Sequence, residues 1–217
     1  PSHGPSLDWI IAATSFGFVV VQLDVTVVNV ALPKIASELH SGVSVLQWIV
    51  DAYALTFAVL LLSAGSLGDR FGSKRLFILG FALFATASVA CGLAPSGTAL
   101  IAGRAVQGIG AALLVPTSLA LLNHAAGHDK AVRARAVGLW TAAGGVSIAA
   151  GPLAGGLLLR VFGWRSIFLV NVPLCIIGIT MTMRVPDTVR RRDARRFDPL
   201  GQTLAIIGLT GLIGAVI

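Results

Sequence analysis

Six stretches of this chain, roughly residues 9–32, 45–67, 76–94, 98–122, 136–159 and 165–183, are nearly free of charge. Each meets the requirement for crossing a bilayer as a helix, about 20 mostly apolar residues. A seventh such run opens near Pro199 and continues to Ile217. Of the 217 residues 56% are hydrophobic and 12% charged, the latter about half the usual share in soluble domains. The fold expected is an all-α membrane bundle. Residues 1–183 form its six-helix unit, 184–198 an Arg-rich loop and 199–217 the first part of a seventh span. Because the chain starts at Pro1 and stops within an apolar run, it reads as a piece of a longer protein.

Helix punctuation refines these spans. Asp8 and Ser44 stand where N-caps are expected, and Pro33, Pro95 and Pro186 mark the exits of spans one, three and six. Pro116, Pro152 and Pro173 fall inside spans, which a bundle tolerates where neighbouring groups satisfy the freed carbonyl.

The net charge of +7 does not point to nucleic acid, because its carriers sit in the short gaps between apolar runs. The gaps after spans two, four and six hold three, three and six Lys or Arg; those after spans one, three and five hold one, none and two. This alternation places the richer set and the N-terminus in the cytoplasm of a multi-pass plasma-membrane protein. The Arg-rich stretch after span six holds that side in place and also offers a contact for anionic lipid. Cys91 and Cys175 lie in apolar runs and read as buried hydrophobes. The four histidines lie outside the apolar cores, and with neither HExxH nor CxxC no metal or cofactor is expected.

The chain also repeats itself. A shift of 91 residues lays Gly65, Leu67, Phe71, Gly72, Lys74 and Phe77 on Gly156, Leu158, Phe162, Gly163, Arg165 and Phe168. The unit is three spans, an odd number, so the copies face opposite sides of the membrane. Inverted repeats of this kind are a transporter signature.

Charges inside spans are costly and functional by default. Asp24, Asp51 and Arg104 all fall about 9–12 Å below the outer surface at 1.5 Å rise per residue, so the three can share one layer. A guanidinium paired with one carboxylate leaves the other free for a proton or cation; which of the two pairs is open. A purely structural ion pair is the alternative. Ser15, Gln22, Thr26 and Asn29 align on one face of span one, and Asp24, about 200° from Gln22, does not share it. That face can line a cavity or make interhelical hydrogen bonds. Ser147, Gly151 and Gly155, with Gly144, Gly145 and Gly156 beside them, make a small-residue ridge on span five for close helix packing.

Several of these stretches resemble the major facilitator superfamily, and within it the 14-span drug:proton antiporters. Gly65-x-Leu67-x-Asp69-Arg70-x-Gly72-x-Lys74 is similar to the superfamily's loop 2–3 motif, with Ser73 at a usually basic position. Leu100-xxx-Arg104-xx-Gln107-Gly108-x-Gly110-Ala111-Ala112 resembles the span-four motif, whose arginine is implicated in proton coupling. Gly151-Pro152-xx-Gly155-Gly156 resembles the span-five antiporter motif, with Ser147 in place of its leading glycine. Leu23-Asp24-x-Thr26-Val27-Val28-Asn29-Val30-Ala31-Leu32-Pro33 and Trp164-Arg165-xx-Phe168-xx-Asn171-x-Pro173 are similar to motifs of the 14-span group.

The resemblance implies the N-terminal half of a proton-driven exporter of drugs, antibiotics or other hydrophobic small molecules. Asp24, Asp51 and Arg104 are then its proton-coupling candidates, Asp24 foremost. Gln22, Thr26, Asn29 and Gln107 are its substrate-cavity candidates, and the loop 2–3 residues Asp69 and Arg70 meet the C-terminal half of the same chain. A transporter of an ordinary metabolite is the nearest rival. An intramembrane hydrolase would need a Ser/His pair or metal ligands within the spans, where no histidine occurs. A static channel fits poorly with an inverted repeat.

Overall fold

The computed structural model describes residues 5–187, Leu62 by its backbone alone, together with Gly201, Leu204, Ile207, Gly208 and Gly211, which are helical. The remaining residues of the Arg-rich loop and of the expected seventh span lie outside the described residues. The elements are α1 (Leu7–Leu39), α2 (Val43–Phe71), α3 (Ser73–Gly92), α4 (Gly97–Ala126), α5 (Lys130–Phe162), α6 (Arg165–Leu169) and α7 (Asn171–Met183). Six membrane-length spans result, α6 and α7 together making the sixth.

Four helices outrun their apolar cores, because hydropathy marks the part in lipid and not the turns that extend past it. Pro33 lies within α1 and not at its exit. Two expected caps move as well. Ser6, not Asp8, caps α1 by accepting from the Trp9 N–H at 3.3 Å. Gly42 precedes α2 with no side-chain cap, and Ser44 lies inside the helix. The sixth span breaks at Val170 because Pro173 has no N–H to return to the Leu169 carbonyl and its ring crowds that group.

The three-helix repeat is visible in the neighbour relations. α2 packs along α4 as α5 packs along α1; α3 lies on α4 as α7 lies on α1; α1 crosses α4, and α3 meets α6 and α7. Exchanging α1–α3 with α4–α7 returns the same set. The turns agree: Gly72 and Gly163, 91 residues apart, both close a helix at positive φ (97° and 79°), each donating its N–H to the carbonyl four residues back. Only glycine adopts such a φ without strain, which explains why the repeat retains it.

The two larger hydrophobic clusters stack along the bundle, beside a smaller one around Ile11, Leu122 and Ala136. Near the N-terminal end Phe77, Phe81 and Phe84 of α3 pack with Ile10, Val20, Leu114 and Cys175. Near the opposite end Val27, Ile35, Ile49, Leu100, Trp164 and Phe168 pack together. Small residues let the backbones approach. A Cβ on Gly110 would come within 2.8 Å of the Phe84 backbone nitrogen, and one on Gly108 would strike Thr56 and the Tyr53 carbonyl. On α5, Gly144, Gly151 and Gly155 press on Phe18, Thr26 and Val27, while the Ser147 hydroxyl donates to the Val19 carbonyl at 2.8 Å. Gly145 and Gly156 point into open space and take no part in this seam.

Candidate functional site

Between the two clusters lies a layer of polar side chains from four helices. Asp24 of α1 is 1% exposed, as is Arg104 of α4. Arg104 Nη1 donates to Asp24 Oδ2 at 2.6 Å, and its Nε donates to the Ile49 carbonyl at 3.1 Å. Asp24 Oδ1 accepts from Gln107 Nε2 at 2.9 Å and from Asn171 Nδ2 at 2.8 Å. Gln107 also accepts from Arg104 at 2.8 Å and donates to Ser88 Oγ at 2.9 Å. Ser88 in turn donates to the Phe84 carbonyl at 2.7 Å.

A buried ion pair is sustained only when the remaining lone pairs and protons are also satisfied, and here both carboxylate oxygens are. Sequence spacing builds the cluster: Arg104 and Gln107, three residues apart, share one face of α4, and the break before α7 brings Asn171 to Asp24. The open question of pairing resolves in favour of Asp24.

Asp51 does not join the layer. Arg104 reaches the backbone of Ile49, so the depth argument holds, but Asp51 sits about 200° further round α2. It is half-buried and makes no hydrogen bond or ion pair with the described residues.

Behind the pair, between α1 and α2, opens a pocket of about 160 Å³. Val21, Gln22, Val25, Val28 and Asn29 of α1 face Val50, Tyr53, Ala54 and Phe57 of α2, with Arg104 in the wall. Arg104 lies over the Tyr53 ring, 4.1 Å from its centroid. Gln22 and Asn29 therefore stand where a cavity face is expected, with Asp24 turned away to α4. Thr26 does not: its hydroxyl donates to the Gln22 and Leu23 carbonyls and it packs against Gly151. Gln107 belongs to the polar layer, fully buried, and does not line the pocket. Ser15 is buried too, its hydroxyl without a partner among the described residues.

Sequence reasoning passed over Tyr53 and Ser88. Tyr53 is the chain's only tyrosine and shares a helical stripe with Val50, Ala54 and Phe57, a signal that was available. Nothing distinguishes Ser88 from other small polar residues of the spans. Asn171 was part of a quoted motif, yet its contact with Asp24 needs the fold.

At the N-terminal end the loop 2–3 residues divide in two. Gly68 packs on Thr117, Gly72 makes the turn, and Lys74 Nζ donates to the Met183 carbonyl at 2.9 Å, closing the end of α7. Asp69 and Arg70 are exposed and make no ion pair with the described residues; Arg70 lies over the Phe71 ring at 5.4 Å. At the other end Glu38 accepts from Trp164 Nε1 at 2.9 Å and pairs with Lys34 and Arg165 at 3.3 and 3.4 Å, tying α1 to α6.

Comparison with known proteins agrees with this architecture. The chain is 44% identical over 96% of its length to the methylenomycin A resistance protein of Bacillus subtilis, covering 44% of that protein. It is 43% identical over 94% of its length to the multidrug resistance protein Stp of Mycobacterium tuberculosis, covering 38% of it. The tetracenomycin C resistance and export protein of Streptomyces glaucescens is 38% identical, with 88% of this chain and 36% of that one matched. The chain thus spans less than half the length of these relatives. Its fold matches a crystal structure of the peptide transporter POT with a TM-score of 0.75 at 15% identity, over 95% of this chain and 45% of the other. The family model described as Major Facilitator Superfamily matches residues 14–216, and the chain belongs to that superfamily.

Proposed function

We propose that this chain is the N-terminal half of a proton-coupled exporter of antibiotics or other hydrophobic small molecules, of the 14-span type. The observation that carries the reading is the arrangement on α1: the Asp24–Arg104 pair occupies one face and the pocket the other, with Arg104 common to both. A proton arriving at Asp24 would loosen its hold on Arg104, Gln107 and Asn171, and so couple protonation to movement of the pocket wall. The names of the relatives, resistance and export proteins, support the direction of transport. The uneven basic gaps support a cytoplasmic N-terminus. Asp69 and Arg70, exposed at that end, are suited to contact the C-terminal half of the chain.

The test uses the full-length transporter in proteoliposomes. Asp24→Asn is expected to abolish uphill efflux driven by a pH gradient while downhill exchange of the same drug continues. Uphill transport at the wild-type rate across a pH series would show the ion pair to be purely structural.

A further inference from the structure

The pocket wall has a chemical bias that goes beyond the export reading, on which it rests. No Asp or Glu lines it among the described residues. The nearest carboxylate in the layer behind, Asp24, is buried and already accepts from Arg104, Gln107 and Asn171. Arg104 is the charged member of the wall, and its Nη2 has no hydrogen bond to the described residues.

Beside Arg104 stands Tyr53, whose ring packs under the guanidinium and whose hydroxyl is enclosed, out of reach of the pocket. The Asn29 amide nitrogen is engaged with the Val25 carbonyl of its own helix. The rest of the wall is valine, alanine and phenylalanine, with the Gln22 amide at one side. The volume, about 160 Å³, compares with the cavity of about 150 Å³ that holds benzene. It suits one ring or ring-sized end of a larger molecule.

From these observations we infer that the pocket takes the ring-sized end of an apolar compound presenting a carbonyl or carboxylate oxygen to Arg104, and that it rejects organic cations. A cation here would lose its hydration beside a guanidinium and gain no counter-charge. An acceptor oxygen would satisfy the waiting Nη2 donor of Arg104. An acidic compound would gain further from the charge-assisted bond to Arg104.

The test expresses the full-length transporter in a drug-sensitive bacterium and measures growth inhibition by four compounds. Chloramphenicol (uncharged) and nalidixic acid (acidic) carry acceptor oxygens; ethidium and tetraphenylphosphonium are apolar cations. Resistance should rise at least fourfold for an acceptor-bearing compound and less than twofold for either cation. Ala54→Asp, which puts a carboxylate into the wall, should add resistance to ethidium.

Fourfold or greater resistance to either cation in the unmodified protein overturns the inference and leaves export standing. Resistance to none of the four, with proton-driven export of another compound demonstrated, also overturns it. Absence of gradient-driven export of any compound removes the export reading itself.

Discussion

α1 and α4 are repeat mates, as are α2 and α5, and the two pairs are built for different surroundings. More than half of the membrane core of α1 and of α4 is buried, 56% and 61%, against 22% for both α2 and α5. Composition does not separate them, for all four are apolar and three of them contain a proline within the helix. What separates them is where charge and small residues fall. The buried pair carries Asp24 and Arg104, which face each other across the crossing point. α2 and α5 turn large apolar side chains outward, Leu153, Leu157 and Phe162 among them. The lesson is that a helix central to such a bundle is marked by a charge that finds a partner, and a peripheral one by large apolar residues left outside the packing seam.

The strongest way to break this contrast is to remove charge from each pair of helices in turn. Arg104→Ala leaves a buried carboxylate without its cation and should cost about 3–5 kcal/mol of stability. The loss should be read as a large drop in the melting temperature of detergent-purified full-length protein. Adding Asp24→Asn to it should restore part of the loss. Asp51→Asn on α2, half-buried and unpaired, should change stability by less than about 0.5 kcal/mol. Equal effects at Arg104 and Asp51 would erase the distinction between central and peripheral helices.

Glycine substitutions test the seams at smaller amplitude. Gly110→Ala drives a Cβ against the backbone of α3, which cannot rotate aside, and should cost about 1–3 kcal/mol. Gly156→Ala meets nothing and should be neutral or stabilising by up to about 1 kcal/mol, as alanine is the better helix former. If Gly156→Ala folds normally yet transport falls, that glycine serves a surface beyond the described residues. Ridge and surface glycines then have separate roles within one motif.

A third experiment perturbs stability least and fixes which end of each helix faces outward. Single cysteines at Thr98 and at His128, both exposed and at opposite ends of α4, should react differently with an impermeant maleimide on intact cells. Thr98→Cys should label and His128→Cys should not. The native Cys91 and Cys175 are buried, which keeps the background low. The reverse pattern would invert the orientation.

The six described spans, the three-helix repeat and the depth of the charged residues were legible because each follows from position along the chain. Bilayer thickness turns residue number directly into depth, so Asp24 and Arg104 could be placed at one level before any fold was known. Azimuth was less accessible. Asp51 has the right depth and faces away from the pair, and the turn of α2 about its own axis is set by packing of Gly108 against Thr56 and Tyr53. Thr26 lies on the polar stripe of α1 but is covered by Gly151, because the stripe is wider than the pocket. Asn171 reaches Asp24 through a helix break whose cause, Pro173, was in view, but whose direction depends on α1 and α3.

The separation of the paired charges along the chain has a consequence for biosynthesis. Asp24 precedes Arg104 by 80 residues and Asn171 by 147. At translation rates of about 5–20 residues per second, the first span waits about 4–16 s for its arginine. Through that interval its central aspartate has none of the donors that later surround it, in a setting where a lone charge costs about 2.5–3.5 kcal/mol on insertion scales. The apolar residues of the first span, worth about 0.3–0.6 kcal/mol each on such scales, offset that cost. Arrival of the fourth span then completes the burial of a charge that the first span has carried alone.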